Sequence, residues 1–194
     1  MSDTRISLFI AFAFAFLAIT MSAASTWNTF VWTTLAKPKC DRALFRRVRT
    51  HKPIRIVELG IDIVRAQRVI ALAQRYAEEQ VQYCGIDLFE ARTAGPRLKL
   101  KNIHNQLTKT GAKVRLVPGE LAHAIARTAN ILPNTDLLIV AGEHSQDALK
   151  SIFSFLPRML HSETSIARYT EAADGMRLRW MKPDSFVTPS RRAA

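Results

Sequence analysis

The sequence predicts an α/β fold in which a doubly wound, mostly parallel sheet is preceded by an N-terminal apolar helix. After Pro53, short runs rich in β-branched residues alternate four times with stretches that place apolar side chains at helical spacing. One of these runs, "LLIVA" at 137–141, is apolar throughout, which is typical of a strand buried on both faces. A chain of 194 residues that is 48% hydrophobic is long enough to bury one such core.

Four strand and helix units follow one another along the chain. Each strand ends at glycine or at an acidic residue, and each helix has a stripe of apolar side chains on one face. The predicted strands are 54–60, 81–87, 113–119 and 135–142. The predicted helices are 66–80, 97–111, 120–132 and 145–160. Because helices of this length connect parallel strands, the pattern favours βαβ units with both faces of the sheet covered.

The composition of the strands also predicts their order. Lys113 and Arg115 alternate with apolar residues in the third strand, as in an edge strand, whereas the fourth strand has the composition of a central one. The order 3-2-1-4 satisfies both. The pair Asp174-Gly175 predicts a hairpin between strands at 165–171 and 176–181, which completes a Rossmann-like sheet. In such a sheet, ligands bind beyond the carboxyl ends of the strands, where the order reverses.

The N-terminus begins with an uncharged run at 6–24, which is long enough to cross a bilayer as a helix. Trp27 and Trp32 follow where an interfacial aromatic belt would lie, and many basic residues come next. Three interpretations stay open. The run is a cleaved signal peptide, or it anchors a cytoplasmic domain to the membrane, or translation starts at Met21 and the protein is soluble and cytoplasmic.

The sequence divides into four segments. They are an apolar, transmembrane-like segment at 1–36, a basic linker at 37–53, the main domain at 54–184 and a disordered tail at 185–194. The net charge is +12, and the basic residues of 37–55 are candidates to contact an anionic membrane surface or RNA. The alternative is a solvated helix that rests Ala43, Leu44 and Val48 on the domain.

Cysteine and histidine indicate no metal site. Cys40 and Cys84 lie far apart in the sequence, and Cys84 falls within a predicted strand, where a small buried core residue is expected. His104 and His123 fall on predicted helices without acidic or cysteine partners at ligand spacing.

The motifs at the four strand ends are "VELG", "GIDLFEA", "VPGE" and "DLLIVAGEHS". In this order and spacing the span 54–160 resembles the class I S-adenosylmethionine-dependent methyltransferases, in particular a small subgroup with a "DGxHS"-like fourth motif. The resemblance implies S-adenosylmethionine as cofactor and methyl transfer to an acceptor that the sequence does not identify.

The resemblance also implies roles for individual residues. Glu58 and Gly60, with Asp62 behind them, match the turn that holds the methionine part of the cofactor. Asp87 matches the acid that accepts hydrogen bonds from the ribose hydroxyls, and a carboxylate suits two vicinal donors. The remaining matches are Gly119 and Glu120 near the adenine, and Gly142 with the catalytic candidates Glu143 and His144 in the loop over the methyl group.

The chain departs from this pattern at two strand ends. Ile61, Ile63 and Val64 stand where the family has further glycines, and Ala141 stands where it has an acid used for metal binding or proton removal. Arg65 either points to solvent or lies at the start of the helix, where it would disfavour a sulfonium. Two main functions follow, a methyltransferase or an inactive methyltransferase-like binding module; a third is RNA binding through the basic charge.

Overall fold

A computed structural model describes residues 27–93, 95–141, 144, 146–173 and 175–183. A helical segment at 27–35 precedes the first of the elements numbered here. The strands are β1 (Arg55–Leu59), β2 (Gln82–Asp87), β3 (Lys113–Pro118), β4 (Thr135–Val140), β5 (Leu160–Ala172) and β6 (Gly175–Met181). The helices are α1 (Lys39–His51), α2 (Ile63–Tyr76), α3 (Leu100–Thr108), α4 (Leu121–Ala129), α5 (Gln146–Ile152) and α6 (Leu156–Met159).

The six strands form one sheet in the order β3-β2-β1-β4-β5-β6. Neighbours from β3 to β5 are parallel, and β6 pairs antiparallel with β5. The predicted order 3-2-1-4 with a C-terminal hairpin is therefore confirmed, and the fold is Rossmann-like and doubly wound. Lys113 and Arg115 of β3 are exposed at one edge of the sheet, as the alternation of their strand predicts.

Each face of the sheet is covered by three helices. Along β1, Ile56 enters one hydrophobic cluster while Val57 and Leu59 enter the other, because successive side chains of a strand point to opposite faces. The first cluster contains apolar residues of α1, α2 and α3, and the second contains those of α4, α5 and α6. The strand ends are thus held between two packed layers.

The stretch 37–53, expected as a basic linker, holds α1. Leu44, Phe45 and Val48 of this helix are buried in the first cluster. The solvated-helix interpretation predicted the burial of Leu44 and Val48 correctly, but Ala43 is exposed. Helix α1 therefore packs in the same hydrophobic cluster as α2 and α3.

The predicted helix at 145–160 is broken in two. Residues 153–155 form a turn between α5 and α6, and Pro157 lies in the first turn of α6. Proline has no N–H and its ring collides with the carbonyl four residues earlier, so it fits at the start of a helix and not within one.

Among the helices that the structure describes, none is both long and apolar enough to cross a bilayer. The uncharged run at 6–24, the start at Met21 and the tail at 185–194 lie outside the described residues.

Candidate functional site

The carboxyl ends of β1, β2, β3 and β4 lie side by side at one end of the sheet. In the register, Glu58 of β1 lies beside Gly85 of β2 on one side and Ile139 of β4 on the other. Asp87 ends β2 beside Pro118 of β3. The predicted residues of β1, β2 and β3 therefore lie along the carboxyl ends of three neighbouring strands. The strand order reverses beside β1, between β1 and β4, and sheets of this class bind ligands beyond that point.

Asp87 is 8% exposed, and its carboxylate accepts hydrogen bonds from two backbone N–H groups and one arginine side chain. The Ile61 N–H donates to Oδ2 at 2.8 Å and the Phe89 N–H donates to Oδ1 at 3.0 Å. Arg92 donates from Nε to Oδ1 at 2.6 Å and from Nη2 to Oδ2. Burial alone would raise the pKa of Asp87, but these hydrogen bonds outweigh it and hold the pKa below its ordinary value. The carboxylate is ionised and fully paired.

Arg92 is the side-chain partner of Asp87 that the motif comparison missed. We call Asp87 and Arg92 the edge pair; their side chains are 4% and 18% exposed. Phe89 adopts a left-handed conformation with φ of 50°, rare for a buried aromatic residue, and the turn Phe89–Ala91 returns the chain towards Asp87. Arg92 Nη2 also donates to the Ile61 carbonyl at 2.9 Å. A basic residue just after a strand-end acid is the only sequence signal for this pair.

Glu58 lies deeper and is not exposed at all. Arg65 donates to its Oε1 from Nη2 at 2.7 Å and from Nε at 3.2 Å, and the Tyr83 hydroxyl donates to its Oε2 at 2.7 Å. We call Glu58 and Arg65 the buried pair. Burial raises the pKa of Glu58 although Arg65 opposes it, and the Glu58 carboxylate raises the pKa of Arg65 although burial opposes it. The interpretation that Arg65 points to solvent is wrong, because the residue is only 8% exposed.

The buried pair belongs to a longer polar network. The Arg65 guanidinium lies over the Tyr169 ring, 4.5 Å from its centroid. The Tyr169 hydroxyl donates to Asp41 Oδ1 at 2.6 Å. Burial raises the pKa of both Asp41 and Tyr169. The chain of contacts runs from α1 through β5 and α2 to β1 and β2, so it connects elements on one face of the sheet.

The turn after β1 is filled by the protein itself. Gly60 has φ of 77°, and a Cβ there would lie 2.0 Å from the Ala141 carbonyl oxygen. Ile61 packs so closely over Gly85 that a Cβ on Gly85 would lie 2.6 Å from Ile61 Cδ1. Asp62 caps α2, since its Oδ1 accepts from the Arg65 N–H at 3.0 Å. Gly60 is therefore required by the chain's own backbone, and its cofactor role, like those of Glu58 and Asp62, stays a prediction.

The remaining predicted residues that the structure describes lie after the ends of β3 and β4. Glu120 precedes α4, and its side chain is 81% exposed with His123 Nδ1 4.0 Å away. Gly119 is held by its N–H, which donates to the Asp87 carbonyl at 3.1 Å. His144 lies against Gly60, and within the described residues its buried Nε2 has no hydrogen-bond partner. Gly142 and Glu143 lie outside the described residues.

Metal and thiol chemistry find no support in the part of the chain that the structure describes. No three His, Cys, Asp or Glu side chains there are arranged to hold a metal ion. Burial raises the pKa of the Cys84 thiol to about 11, so the thiolate is scarce at neutral pH.

No family model and no curated protein matches the chain. Solved structures resemble it at the level of the fold. The MycE methyltransferase of the mycinamycin biosynthetic pathway, solved with Mg and SAH, is 14% identical with a TM-score of 0.47 over 66% of this chain and 33% of MycE. Aeropyrum pernix fibrillarin, solved with S-adenosyl-L-methionine, is 14% identical with a TM-score of 0.42 over 62% and 46% of the two chains.

A third similar structure is a TehB-like SAM-dependent methyltransferase from Corynebacterium glutamicum. It is 15% identical with a TM-score of 0.45, over 88% of this chain and 81% of that one. The chain thus spans about a third of MycE but most of the TehB-like protein. The fold class follows from this chain's own sheet order.

Proposed function

We propose that this chain is a methyltransferase-like protein that binds S-adenosylmethionine at the carboxyl ends of its parallel strands and transfers a methyl group to an acceptor. In this proposal Asp87 holds the ribose. The observation that carries the proposal is the edge pair. Asp87 is a buried, ionised acceptor at the end of β2, and Arg92 presents two donors to it. A ribose also presents two vicinal donors, so the site has the chemistry of a diol acceptor.

Arg92 is the group that the ribose must replace. The four donors to Asp87 use the lone pairs of both its oxygens, so added hydroxyls need the guanidinium to withdraw. Withdrawal is feasible because the Arg92 side chain reaches solvent and its remaining contacts are two backbone carbonyls. We propose that Arg92 competes with the nucleoside for Asp87.

The fit differs between the two halves of the cofactor. The adenosine half fits the edge formed by Asp87, Gly119 and Glu120. On the methionine side, Glu58 is fully paired and the turn at Gly60 is filled by the chain itself. When bound, S-adenosylmethionine supplies an electrophilic methyl group, and the protein's part is to align the acceptor with it. The unpartnered His144 Nε2 beside Gly60 is the described group that is suited to take a proton from that acceptor.

The saturated buried pair favours a second candidate function. If the chain cannot free Glu58, the edge binds an adenosine nucleoside without methyl transfer, and the protein is an inactive binding module. Both candidates require Asp87, and only the first requires turnover.

Calorimetric titration with S-adenosylhomocysteine tests the binding step. The parent chain is expected to bind saturably, and Asp87→Asn is expected to abolish binding while its circular dichroism spectrum is preserved. A matched Asp136→Asn variant controls for loss of a carboxylate at the opposite end of the sheet, where Asp136 Oδ2 accepts from the Ile54 and Arg55 N–H groups. Absence of binding by the parent at millimolar ligand would remove the proposal. Binding that Asp87→Asn leaves unchanged would remove the role of Asp87.

A further inference from the structure

In the helical segment at 27–35, small polar side chains face the domain and large apolar side chains face outward, which is the reverse of an ordinary surface helix. Thr29 and Thr33 are 4% and 5% exposed, so small polar residues face the domain. The Thr33 hydroxyl donates a hydrogen bond to the Thr29 carbonyl at 2.8 Å, so it is paired within its own helix. Trp27, Phe30 and Leu35, by contrast, are 65%, 52% and 57% exposed. A soluble surface helix normally has its large apolar residues on the buried side.

Two of the exposed side chains form an aromatic pair. Trp27 and Phe30 are three residues apart on one side of the helix, and their ring centroids are 5.9 Å apart. Trp32, in contrast, packs against the core, so the sequence expectation of an interfacial position for it is not met, whereas Trp27 points outward. We call Trp27, Phe30 and Leu35 the outer face.

Cations lie at the C-terminal end of the segment that carries the outer face. Arg46 Nε donates to the Thr33 carbonyl at 3.2 Å and Arg42 Nε donates to the Ala36 carbonyl at 2.9 Å, which places both guanidinium groups at the C-terminal end of the segment. Lys37 and Lys39 follow directly in the chain and are exposed. Aromatic and aliphatic side chains bordered by Lys and Arg are the pattern by which helices lie in the interface of an anionic bilayer.

We propose that the outer face and the cations at the C-terminal end of its segment bind the surface of an anionic membrane, with the helical segment lying in the plane of the headgroups. A second copy of the chain is a poorer occupant, because an isologous contact would bring the same cations of both copies together. RNA is poorer too, because Leu35 offers no ring for a base to stack on.

Flotation of the full chain with vesicles tests this proposal. Binding is measured to vesicles with one third phosphatidylglycerol and to vesicles of pure phosphatidylcholine. The ratio of the two affinities isolates the effect of charge, because any apolar affinity of residues 6–24 contributes to both. Lys37→Gln with Lys39→Gln is expected to lower that ratio about 30-fold. The matched pair Lys113→Gln with Arg115→Gln, on the far edge of the sheet, is expected to leave it within about twofold. Trp27→Ala with Phe30→Ala is expected to weaken binding to anionic vesicles at least tenfold, about the loss expected for two interfacial rings, whereas Ile131→Ala, an exposed site elsewhere, leaves it unchanged.

Three outcomes would overturn the proposal. The first is equal binding of the parent to both vesicle types, which assigns any membrane affinity to residues 6–24. The second is a concentration-dependent dimer of the parent that Trp27→Ala with Phe30→Ala converts to monomer, which assigns the outer face to a second copy. The third is binding to an RNA oligonucleotide without binding to anionic vesicles, which assigns the cations to phosphate. Thermal melts that match the parent confirm that each variant is folded.

Discussion

Two arginines bind strand-end carboxylates in this molecule, and they do so at different depths. The buried pair of Glu58 and Arg65 is 0% and 9% exposed at its side chains, and the edge pair of Asp87 and Arg92 is 4% and 18% exposed. Arg65 is further enclosed by the Tyr169 ring, whereas the other hydrogen bonds of Arg92 to described residues go to the backbone carbonyls of Ile61 and Pro96. The buried pair therefore acts as structure, while we propose that the edge pair opens to a ligand.

Breaking the buried pair is expected to have the largest effect. Arg65→Met leaves Glu58 as a buried carboxylate without its counter-ion, and we predict a loss of about 3–5 kcal/mol in the free energy of unfolding. Chemical denaturation measures it. The double variant Glu58→Gln with Arg65→Met is expected to recover most of the loss, because the uncompensated charge is gone. A loss below about 1 kcal/mol for Arg65→Met would mean that water reaches this pair.

Removing the acid of the edge pair is expected to cause the second-largest loss of stability. Asp87→Asn keeps one acceptor oxygen but loses the charge-assisted bonds from Arg92 and one backbone N–H bond, which we expect to cost about 2 kcal/mol. Chemical denaturation of this variant beside Asp136→Asn checks the value. A cost equal to that of Arg65→Met would contradict the difference in depth between the two pairs.

Removing the arginine of the edge pair is expected to cost least. Arg92→Ala leaves Asp87 with the Ile61 and Phe89 N–H groups, and the pair lies near solvent, so a loss of at most about 1 kcal/mol is predicted. Thermal and chemical unfolding of Arg92→Ala and Arg97→Ala, an exposed arginine of the same loop, provide the measurement. A loss of 3 kcal/mol or more, judged on the scale of a broken buried pair, would make Arg92 as structural as Arg65.

The two regions should also respond to acid with opposite sign. Asp87 has a lowered pKa, so its stabilisation is present above the ordinary value of 3.8 and is lost as pH falls through the folded pKa. Asp41 has a raised pKa, because burial disfavours its charged form, so its destabilisation is present at higher pH and disappears as pH falls through the folded pKa towards 3.8. Burial opposes ionisation of Glu58 in the same direction.

Unfolding free energies measured against pH check these signs. The stability advantage of the parent over Asp87→Asn is expected to shrink as pH falls below 3.8. The stability of the parent relative to Asp41→Asn is expected to improve between the raised folded pKa and 3.8. The same trend for both variants would contradict the assignment.

The sheet could be predicted from local patterns, because the residue types of each strand indicate whether that strand is buried in the centre of the sheet or exposed at its side. The apolar run of β4 and the alternation of Lys113 and Arg115 in β3 were enough to order four strands. The hairpin followed from Asp174-Gly175. Each of these signals lies within a single strand or turn, so it can be read from the sequence without knowing which distant residues pack against it.

The partners of the strand-end acids could not be predicted in the same way. The Tyr169 and Asp41 contact joins residues 128 positions apart, and no local pattern indicates it. The sequence leaves Arg65 either pointing to solvent or lying at the start of the helix, because no local pattern shows that Arg65 and Tyr83 both donate to the buried Glu58 carboxylate. Motif matching located Asp87, but motifs describe which residues a family uses and not what this chain has placed against them.

Titration of Arg92→Ala with S-adenosylhomocysteine tests the central claim most directly. If Arg92 competes with the nucleoside for Asp87, its removal is expected to tighten binding at least fivefold, the equivalent of about 1 kcal/mol released from a near-surface pair. Arg97→Ala is expected to bind as the parent does. A folded Arg92→Ala chain that binds no better than the parent would contradict the claim that the edge pair opens to admit a ligand.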